Sequence, residues 1–288
     1  MPKCFFVSDL HGLTDRYEKL FSAIVDEKPA AVFMGGDILP SAIAFSTPGN
    51  EQHDDFLEDY LVPELLNIRE AIGNDYPNFF IILGNDDGRY EEPLIKQIES
   101  NVGLWHYAHN RRFEFGRHSV YGYSFVPPTP FMLKDWERYD VSRYVDPGCV
   151  SPEDGSHSME VRDNRIKFAT IKEDLDELTG KSDLSNAIFL FHSPPHKTKL
   201  DYAALEGKMI DHIPLDPNVG SIAIRRFIEK RQPLVTLHGH IHESASLTGS
   251  WKDRIGETYC FTAAHDGPEL ALVVFDTENL NEARRELI

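Results

Sequence analysis

Cysteine is scarce in this sequence, since its 288 residues contain only Cys4, Cys149 and Cys260. Their odd number and wide spacing exclude a disulfide framework and a CxxC metal site, and such usage is typical of a reduced, intracellular protein. Basic residues are also outnumbered, with 29 Lys and Arg against 47 Asp and Glu and a formal net charge of -18. An acidic surface repels phosphate backbones, so nucleic acid is not an expected partner, although a local positive site could still take a small phosphorylated ligand.

Long apolar runs are missing as well. No stretch approaches the roughly 18 apolar residues of a membrane span, and the run before Ser8 is too short for a signal peptide. The sequence also has no internal repeat and no low-complexity tract. We therefore predict a cytoplasmic protein with no membrane partner, and its oligomeric state is left open. The length is ample for a core, and we expect a single domain over residues 1–288.

Short apolar runs alternate with amphipathic segments along most of the chain, which predicts a layered α/β sheet with polar loops after the strands. The predicted strands are 3–7, 30–34, 78–83, a hairpin within 112–123, 187–191, a run from 233 into the His240 segment, 258–263 and 270–275. The predicted helices are 15–27 with Thr14 as its cap, 54–72, 91–100, 166–178 and 219–228, with a short helix or tail at the C-terminal end. Residues 126–165 show no sustained period, and we interpret them as an insertion beside the site.

Polar side chains follow five of these predicted strands where each strand ends. They are Asp9 with His11, then Asp37, Asn85, His192, and His240 with His242. Each has another explanation, because Asp and Asn beside glycine are common turn formers and histidines are often hydrogen-bonded structural residues. The carboxyl ends of strands are, however, where α/β folds bind ligands. Potential ligands at all five ends therefore favour one common site.

The segment Leu237-His238-Gly239-His240-Ile241-His242 is the most concentrated part of this pattern. In an extended segment alternate side chains share a face, so His240 and His242 would project together. His238 would lie on the same face, either as a packed, hydrogen-bonded neighbour or as a ligand. Two imidazoles on one edge are suitable ligands for a divalent metal ion.

A site for two metal ions accounts for the whole set. Asp37 can bridge two ions because a carboxylate has two oxygens, and Asn85 offers an amide oxygen. Nitrogen and oxygen ligands without thiolate suit Mn, Fe, Zn, Co or Ni better than Mg or Ca, and we expect two divalent ions, with Mn as the first choice. Ions about 3.5–4 Å apart can share a hydroxide and direct it in line at phosphorus. The pattern therefore predicts hydrolysis of a small phosphorylated substrate.

The ordered blocks Asp9-x-His11, Gly36-Asp37, Gly84-Asn85-Asp86, His192 and Gly239-His240-x-His242 resemble the five motifs of the calcineurin-like metallophosphoesterases. Within that superfamily, His192-x-Pro194-Pro195 is similar to small bacterial and archaeal phosphoesterases of the Icc group. The resemblance implies an α/β fold, a four-layer α/β/β/α sandwich of two mixed sheets. It also implies that Asp37 bridges two ions, of which one is held by Asp9, His11 and His242 and the other by Asn85, His192 and His240.

The third block departs from the pattern of many members, which have a substrate-contacting histidine where this chain has Asp86. An ionised carboxylate cannot donate a proton to a leaving group, and it repels a phosphate dianion more than a diester. We therefore predict that phosphodiesters or activated monoesters are favoured, with Asp86, Asn85 and His196 as catalytic candidates. Alternatively, Asp86 only hydrogen-bonds its own loop.

Two other functions compete with this one. Some proteins of the family keep the fold as a metal-binding scaffold without turnover, but such degenerate sites usually lack several of the histidines that are present here. A DNA nuclease is the lesser enzyme alternative, because the chain is acidic and has no additional nucleic-acid domain.

Overall fold

The computed structural model describes residues 3–288, and within that range it contains fourteen strands and eight α-helices. The strands are β1 (Lys3–Val7), β2 (Ala31–Gly35), β3 (Asn78–Ile82), β4 (His106–Tyr107), β5 (Arg111–Phe115), β6 (His118–Tyr123), β7 (Ala187–Phe191), β8 (Met209–Ile210), β9 (Ile213–Pro214), β10 (Val235–His238), β11 (Lys252–Ile255), β12 (Thr258–Thr262), β13 (Ala271–Asp276) and β14 (Arg284–Leu287). The helices are α1 (Thr14–Glu27), α2 (Ala42–Ser46), α3 (Val62–Ile72), α4 (Glu92–Val102), α5 (Asp163–Phe168), α6 (Ile171–Thr179), α7 (Ile222–Arg231) and α8 (Ser244–Thr248). A π-helical turn, Leu57–Leu61, leads directly into α3.

Two mixed sheets form the centre of the fold. In the described part of the chain, one sheet has the order β14-β13-β1-β2-β3-β4 and the other the order β11-β12-β10-β7-β6-β5. Strands β1, β2 and β3 are parallel to one another, as are β12, β10, β7 and β6. The carboxyl ends of parallel neighbours meet at the same sheet edge, and this places the loops after β1, β2, β3, β7 and β10 close together.

Alternation along the central strands explains the four layers. Phe6, Phe33 and Phe80 belong to one buried cluster with Leu190 and Leu237 of the second sheet, while the residues beside them in sequence pack with the helices. Successive side chains of a strand point to opposite faces, so each strand serves both layers. The Phe80 ring lies 6.1 Å from that of Phe113 across the two sheets. The predicted α/β/β/α sandwich of two mixed sheets is therefore confirmed.

Three local predictions were wrong. The C-terminal end is not a helix or tail, because β14 pairs antiparallel with β13 as a polar edge strand. The predicted helix 166–178 is interrupted, since Thr170 begins a new helix by accepting a hydrogen bond from the Glu173 amide at 3.1 Å. Thr14 does not cap α1, because its amide and hydroxyl both donate to Asn50 Oδ1, at 2.9 and 3.2 Å.

Residues 126–165 contain a buried ion pair and also contact α7 through hydrogen bonds. Lys134 and Glu137 form an ion pair in which both side chains are fully buried. Asp140 accepts hydrogen bonds from the amides of Ile222 and Ala223, at 2.7 and 3.1 Å, at the start of α7. The interpretation of this segment as an insertion within a single domain stays a prediction. None of the helices in the described residues is long and apolar enough to cross a membrane.

Candidate metal centre

The loops at the carboxyl ends of the central strands bring the predicted ligands together. Among the residues that the structure describes, two groups could hold a metal ion, with one nitrogen or oxygen atom from each residue lying within 4.8 Å of the others. The first group is Asp9, His11, Asp37 and His242, and the second is Asp37, His192 and His240. Asp37 belongs to both groups, which is the position that a bridging carboxylate requires.

The first group converges on the Nε2 atom of His242. This atom lies 3.3 Å from Asp9 Oδ1 and 3.2 Å from His11 Nε2. The other ring nitrogen of His11, Nδ1, lies 3.1 Å from Ser41 Oγ. A proton on Nδ1 that is donated to this hydroxyl leaves the Nε2 lone pair of His11 directed at the other ligands, as a metal site requires.

The second group surrounds the Nε2 atom of His192. This atom lies 3.2 Å from Asp37 Oδ2 and 3.0 Å from Asn85 Oδ1. The opposite nitrogen, Nδ1, donates to the carbonyl of Gly35 at 2.8 Å, which leaves Nε2 as the metal-facing atom. The His240 ring lies 5.2 Å from the His192 ring. Asn85 thus places a neutral oxygen beside a histidine nitrogen, and its role as a ligand stays a prediction.

The backbone at the centre is strained. Asp9, His11, Asp37 and His240 have φ angles of 55°, 50°, 52° and 75°. These angles lie in the left-handed region, which residues other than glycine rarely adopt. Strain of this kind persists only where the surrounding structure enforces it, and it clusters at functional sites. Our prediction of an extended His240–His242 segment was wrong, since β10 ends at His238 and both histidines lie in the loop that follows.

Three glycines allow the ligands to approach each other. A Cβ atom on Gly84 would lie 2.3 Å from Asp37 Oδ1, and one on Gly36 would lie 2.6 Å from His192 Nδ1. A Cβ atom on Gly239 would lie 2.7 Å from Asp9 Oδ2. These separations are shorter than any real contact of a Cβ atom. Glycine at these positions therefore lets backbone pass close to the metal ligands.

Charge pairs hold the centre together in the metal-free protein. Burial opposes a charge on His192, but the adjacent Asp37 raises the pKa of His192 to about 10. Burial also opposes ionisation of Asp9 and Asp37, yet His242 lowers the pKa of Asp9 well below its usual range, and His192 lowers the pKa of Asp37. Burial lowers the pKa of His240 to about 3 and also lowers that of His11. Without metal the site therefore offers ionised carboxylates and the neutral imidazoles of His11 and His240, whereas His192 carries a proton. Metal binding at His192 would release this proton, because a ligating imidazole must be neutral.

Asp87 is a further carboxylate beside the centre, and the strand-end pattern did not predict it. It is completely buried, and its carboxylate accepts hydrogen bonds from the amides of Leu39, Ile38 and Gly84, at 2.8, 3.2 and 2.8 Å. Burial and the charge of Asp37 raise the pKa of Asp87 well above its ordinary value. Asp87 thus joins the loop after β2 to the loop after β3. The run of polar residues between Gly84 and Gly88 was the available signal for this role.

Asp86 lies at the rim of the centre, with its side chain 37% exposed. Its amide donates to Asp37 Oδ1 at 2.8 Å, and its carboxylate accepts from Asn85 Nδ2 at 3.1 Å and lies 3.7 Å from His11 Nδ1. Burial and the charge of Asp37 raise the pKa of Asp86 to about 6 in the metal-free protein. The position is suitable for contact with substrate and also for the alternative role within the loop.

Two further histidines lie outside both metal-capable groups. The Nδ1 atom of His196 lies 3.8 Å from Asp201 Oδ2, so its contact with substrate stays a prediction. Both ring nitrogens of His238 are engaged, Nδ1 with the Ser193 carbonyl at 2.9 Å and Nε2 with Thr236 Oγ1 at 2.8 Å. His238 therefore has the packed, hydrogen-bonded role, and burial lowers its pKa to about 3.

The sequence matches the family model described as calcineurin-like phosphoesterase over residues 2–244. The chain therefore belongs to the calcineurin-like phosphoesterase family, and membership implies metal-dependent hydrolysis of phosphoesters. No curated protein matches its sequence.

Solved structures agree on the fold. TT1561 of Thermus thermophilus is similar with a TM-score of 0.58 and 14% identity, covering 99% of this chain and 98% of that chain. A dimetal phosphatase from Danio rerio is similar with a TM-score of 0.51 and 13% identity, covering 95% and 91% of the two chains. At such identities the likeness concerns the fold alone.

Proposed function

We propose that this protein hydrolyses small phosphoesters by in-line attack of a hydroxide, with two divalent ions as cofactors and Mn as the first choice. Asp9, His11 and His242 would hold one ion and Asn85, His192 and His240 the other, with Asp37 between them. The observation that supports this assignment is the membership of Asp37 in both metal-capable groups. Mixed nitrogen and oxygen donors without thiolate favour Mn, Fe, Zn, Co or Ni.

Each protein group has a definite task in this proposal. When bound, the two ions lower the pKa of a water molecule and polarise the phosphoryl oxygens. The Gly35 carbonyl orients the His192 ring through Nδ1 at 2.8 Å. The Asp86 amide orients the Asp37 carboxylate by donating to Oδ1 at 2.8 Å, which leaves Oδ2 facing His192. Asn85 contributes an uncharged oxygen, so the centre keeps a net positive charge that attracts phosphate.

Asp86 underlies the proposed preference for phosphodiesters or activated monoesters. Its pKa of about 6 applies without metal, and it would fall again beside two divalent cations. An ionised Asp86 cannot protonate a leaving alkoxide, and it repels a monoester dianion more strongly than a diester monoanion. Because Asp86 is partly exposed at the rim, an approaching substrate would meet this charge.

We also propose a cytoplasmic location, on the basis of the cysteine usage.

The proposed function is tested by metal reconstitution. The protein is stripped of metal and then loaded with Mn, Zn, Fe, Co, Ni or Mg, and hydrolysis of matched phosphomonoesters and diesters is measured for each form. We expect no turnover without metal and the highest kcat/KM on diesters or nitrophenyl esters. Full turnover in excess chelator, after verified metal removal, would contradict the proposal. Stoichiometric binding of two ions without turnover of any ester would support the scaffold function instead.

A further inference from the structure

A cleft of about 470 Å³ opens beside the metal centre, and His11 and His242 form part of its wall. The remaining wall comes from the start of α1, the stretch after α2, and the loop after β12. Its volume lies within the range of small-molecule sites, about 300–1,000 Å³. A phosphoryl group held by the metal ligands would therefore have its organic substituent next to this space.

Buried polar contacts hold the walls of the cleft in place. Arg16, which is only 8% exposed, donates from Nη1 to the carbonyl of Asp9 and from Nη2 to the carbonyl of Gly267, both at 2.6 Å. On the opposite side, Asn50 Oδ1 accepts from the Thr14 amide at 2.9 Å. Arg16 thus ties one wall of the cleft directly to a residue of the metal centre. A cleft held by such contacts is formed before any ligand arrives.

Carboxylates dominate the charged groups of the cleft. Asp15 and Asp266 line it, with 69% and 42% of their side chains exposed. A third carboxylate, on Glu269, lies 3.0 Å from the lining residue His265. The lining cation, Arg16, is buried and already donates to two carbonyls, and Lys19 pairs with Asp15 at 2.7 Å. An anionic group entering the cleft would meet exposed carboxylates, while Arg16 and Lys19 are already engaged with other acceptors.

We propose that this cleft receives the organic part of the phosphoester and selects uncharged or cationic alcohols against alcohols that carry a second anionic group. The inference rests on the proposed function, which places the phosphoryl group at the metal ligands. It goes further because it assigns substrate selection to the cleft beside the metal centre, with Asp266 as the residue that determines it.

Binding of phosphonates tests the proposal, because a phosphonate is not hydrolysed. Each one has a phosphonate group for the metal centre and one organic substituent, called its arm, for the cleft. The probes are methylphosphonate, 3-hydroxypropylphosphonate, 3-aminopropylphosphonate and 2-carboxyethylphosphonate, titrated calorimetrically into the Mn-loaded protein. We expect the carboxylate arm to bind about tenfold more weakly than the hydroxyl arm, since a charge several ångströms away in a partly solvated site changes binding by that order. The amino arm should bind at least as tightly as the hydroxyl arm.

Substitutions inside and outside the cleft test whether the cleft is the source of this selectivity. Asp266→Asn should reduce the hydroxyl-to-carboxylate ratio of affinities about threefold, because one of the repelling charges is removed. Glu257→Gln removes the same charge from an exposed site, where the Glu257 side chain is 89% exposed in an ion pair with Arg254, and should leave the ratio unchanged. Thr47→Trp changes an exposed position of the wall. It should lower the affinity for all three phosphonates with long arms relative to that for methylphosphonate.

The outcomes separate the cleft from the metal centre. Equal affinity for the three long arms, tightest binding of the carboxylate arm, or an equal effect of Asp266→Asn and Glu257→Gln would overturn the proposal for the cleft. In each of these cases binding of methylphosphonate and metal-dependent hydrolysis would leave the proposed function standing. No binding of any phosphonate together with no hydrolysis would overturn both.

Discussion

The Nε2 atom of His192 lies 3.2 Å from Oδ2 of Asp37, and this contact joins the two sheets of the protein. Asp37 follows β2 of one sheet, whereas His192 follows β7 of the other. Neither sheet alone contains the candidate metal centre. The geometry of the site, and any activity that depends on it, is therefore set by how the two sheets pack.

Replacing the shared carboxylate should be worse than removing a ligand of one ion. Loss of residues that merely support metal ligands costs about 10- to 100-fold, so Asp37→Ala should reduce kcat/KM by more than about 100-fold and lower metal stoichiometry below one. His242→Ala, which removes a ligand with a 29% exposed side chain, should retain one ion. The metal stoichiometry of both variants is measured as metal content after gel filtration. Two tightly bound ions in Asp37→Ala would contradict the bridging assignment.

Metal removal should leave the protein folded. The two core clusters consist of buried apolar side chains and contain none of the metal ligands. Metal at about 100 times its Kd should then stabilise the fold by about 2.7 kcal/mol. We expect a native circular dichroism spectrum without metal and a higher Tm on adding Mn. A metal-free spectrum typical of an unfolded chain would refute this.

A methyl group at residue 84 should disrupt the centre without unfolding the protein. The Cβ atom of Gly84→Ala would lie 2.3 Å from Asp37 Oδ1 and 2.7 Å from His192 Cε1, so both ligands must move. We expect metal affinity to fall at least about tenfold. Gly88→Ala is the matched control in the same loop, because the three atoms nearest to its Cβ atom would all belong to the Tyr90 ring, which is 61% exposed and can rotate away. Equal metal affinity in the two variants would show that the close approach at Gly84 is unimportant.

Removing the charge of Asp86 should change substrate preference. If Asp86 repels phosphate, Asp86→Asn should raise kcat/KM for a monoester relative to a matched diester by about tenfold, because one additional substrate charge is relieved of repulsion. The ratio is measured at saturating Mn with the same leaving group in both esters. An unchanged ratio would assign Asp86 to the hydrogen bonds of its own loop, with Asn85 and the Asp37 carboxylate.

His109 should make the metal-free protein sensitive to acid. The ring is buried, its Nδ1 accepts from the Ser124 amide at 3.0 Å, and burial together with Arg89 and Arg138 lowers its pKa well below 6.5. The unfolded chain takes up a proton near pH 6.5 while the folded chain does not. The contribution of neutral His109 to the free energy of unfolding is thus complete above pH 6.5. It is lost as the pH falls below that value, by about 1.4 kcal/mol per pH unit.

Urea unfolding between pH 7.5 and 5 measures this effect. The stability of the wild-type protein should fall more steeply than that of His109→Gln, whose side chain does not titrate. His212→Gln, at an exposed position, serves as the control and should follow the wild-type slope. Parallel curves for His109→Gln and the wild type would rule out His109 as a source of acid sensitivity.

Much of the architecture could be predicted from local patterns. Apolar runs such as Phe79–Ile82 became central strands because every residue in them is buried on one face or the other. The edge strand β14 escaped prediction because its sequence Arg-Arg-Glu-Leu has no apolar run, and its pairing comes entirely from β13. Strand propensity is weak for such polar edges, where neighbouring backbone decides the conformation.

The sequence by itself determined which residues could hold metal ions, because donor chemistry belongs to the side chain and strand ends can be recognised from hydrophobicity. The sequence also pointed to Asp37 as the bridging residue, and the tertiary structure places it in both metal-capable groups. Only the tertiary structure decided that His240 adopts a left-handed conformation with φ of 75°. It also decided that Arg16 ties the cleft to Asp9 through a backbone carbonyl. These features arise from contacts between residues distant in sequence, and local periodicity carries no information about such contacts.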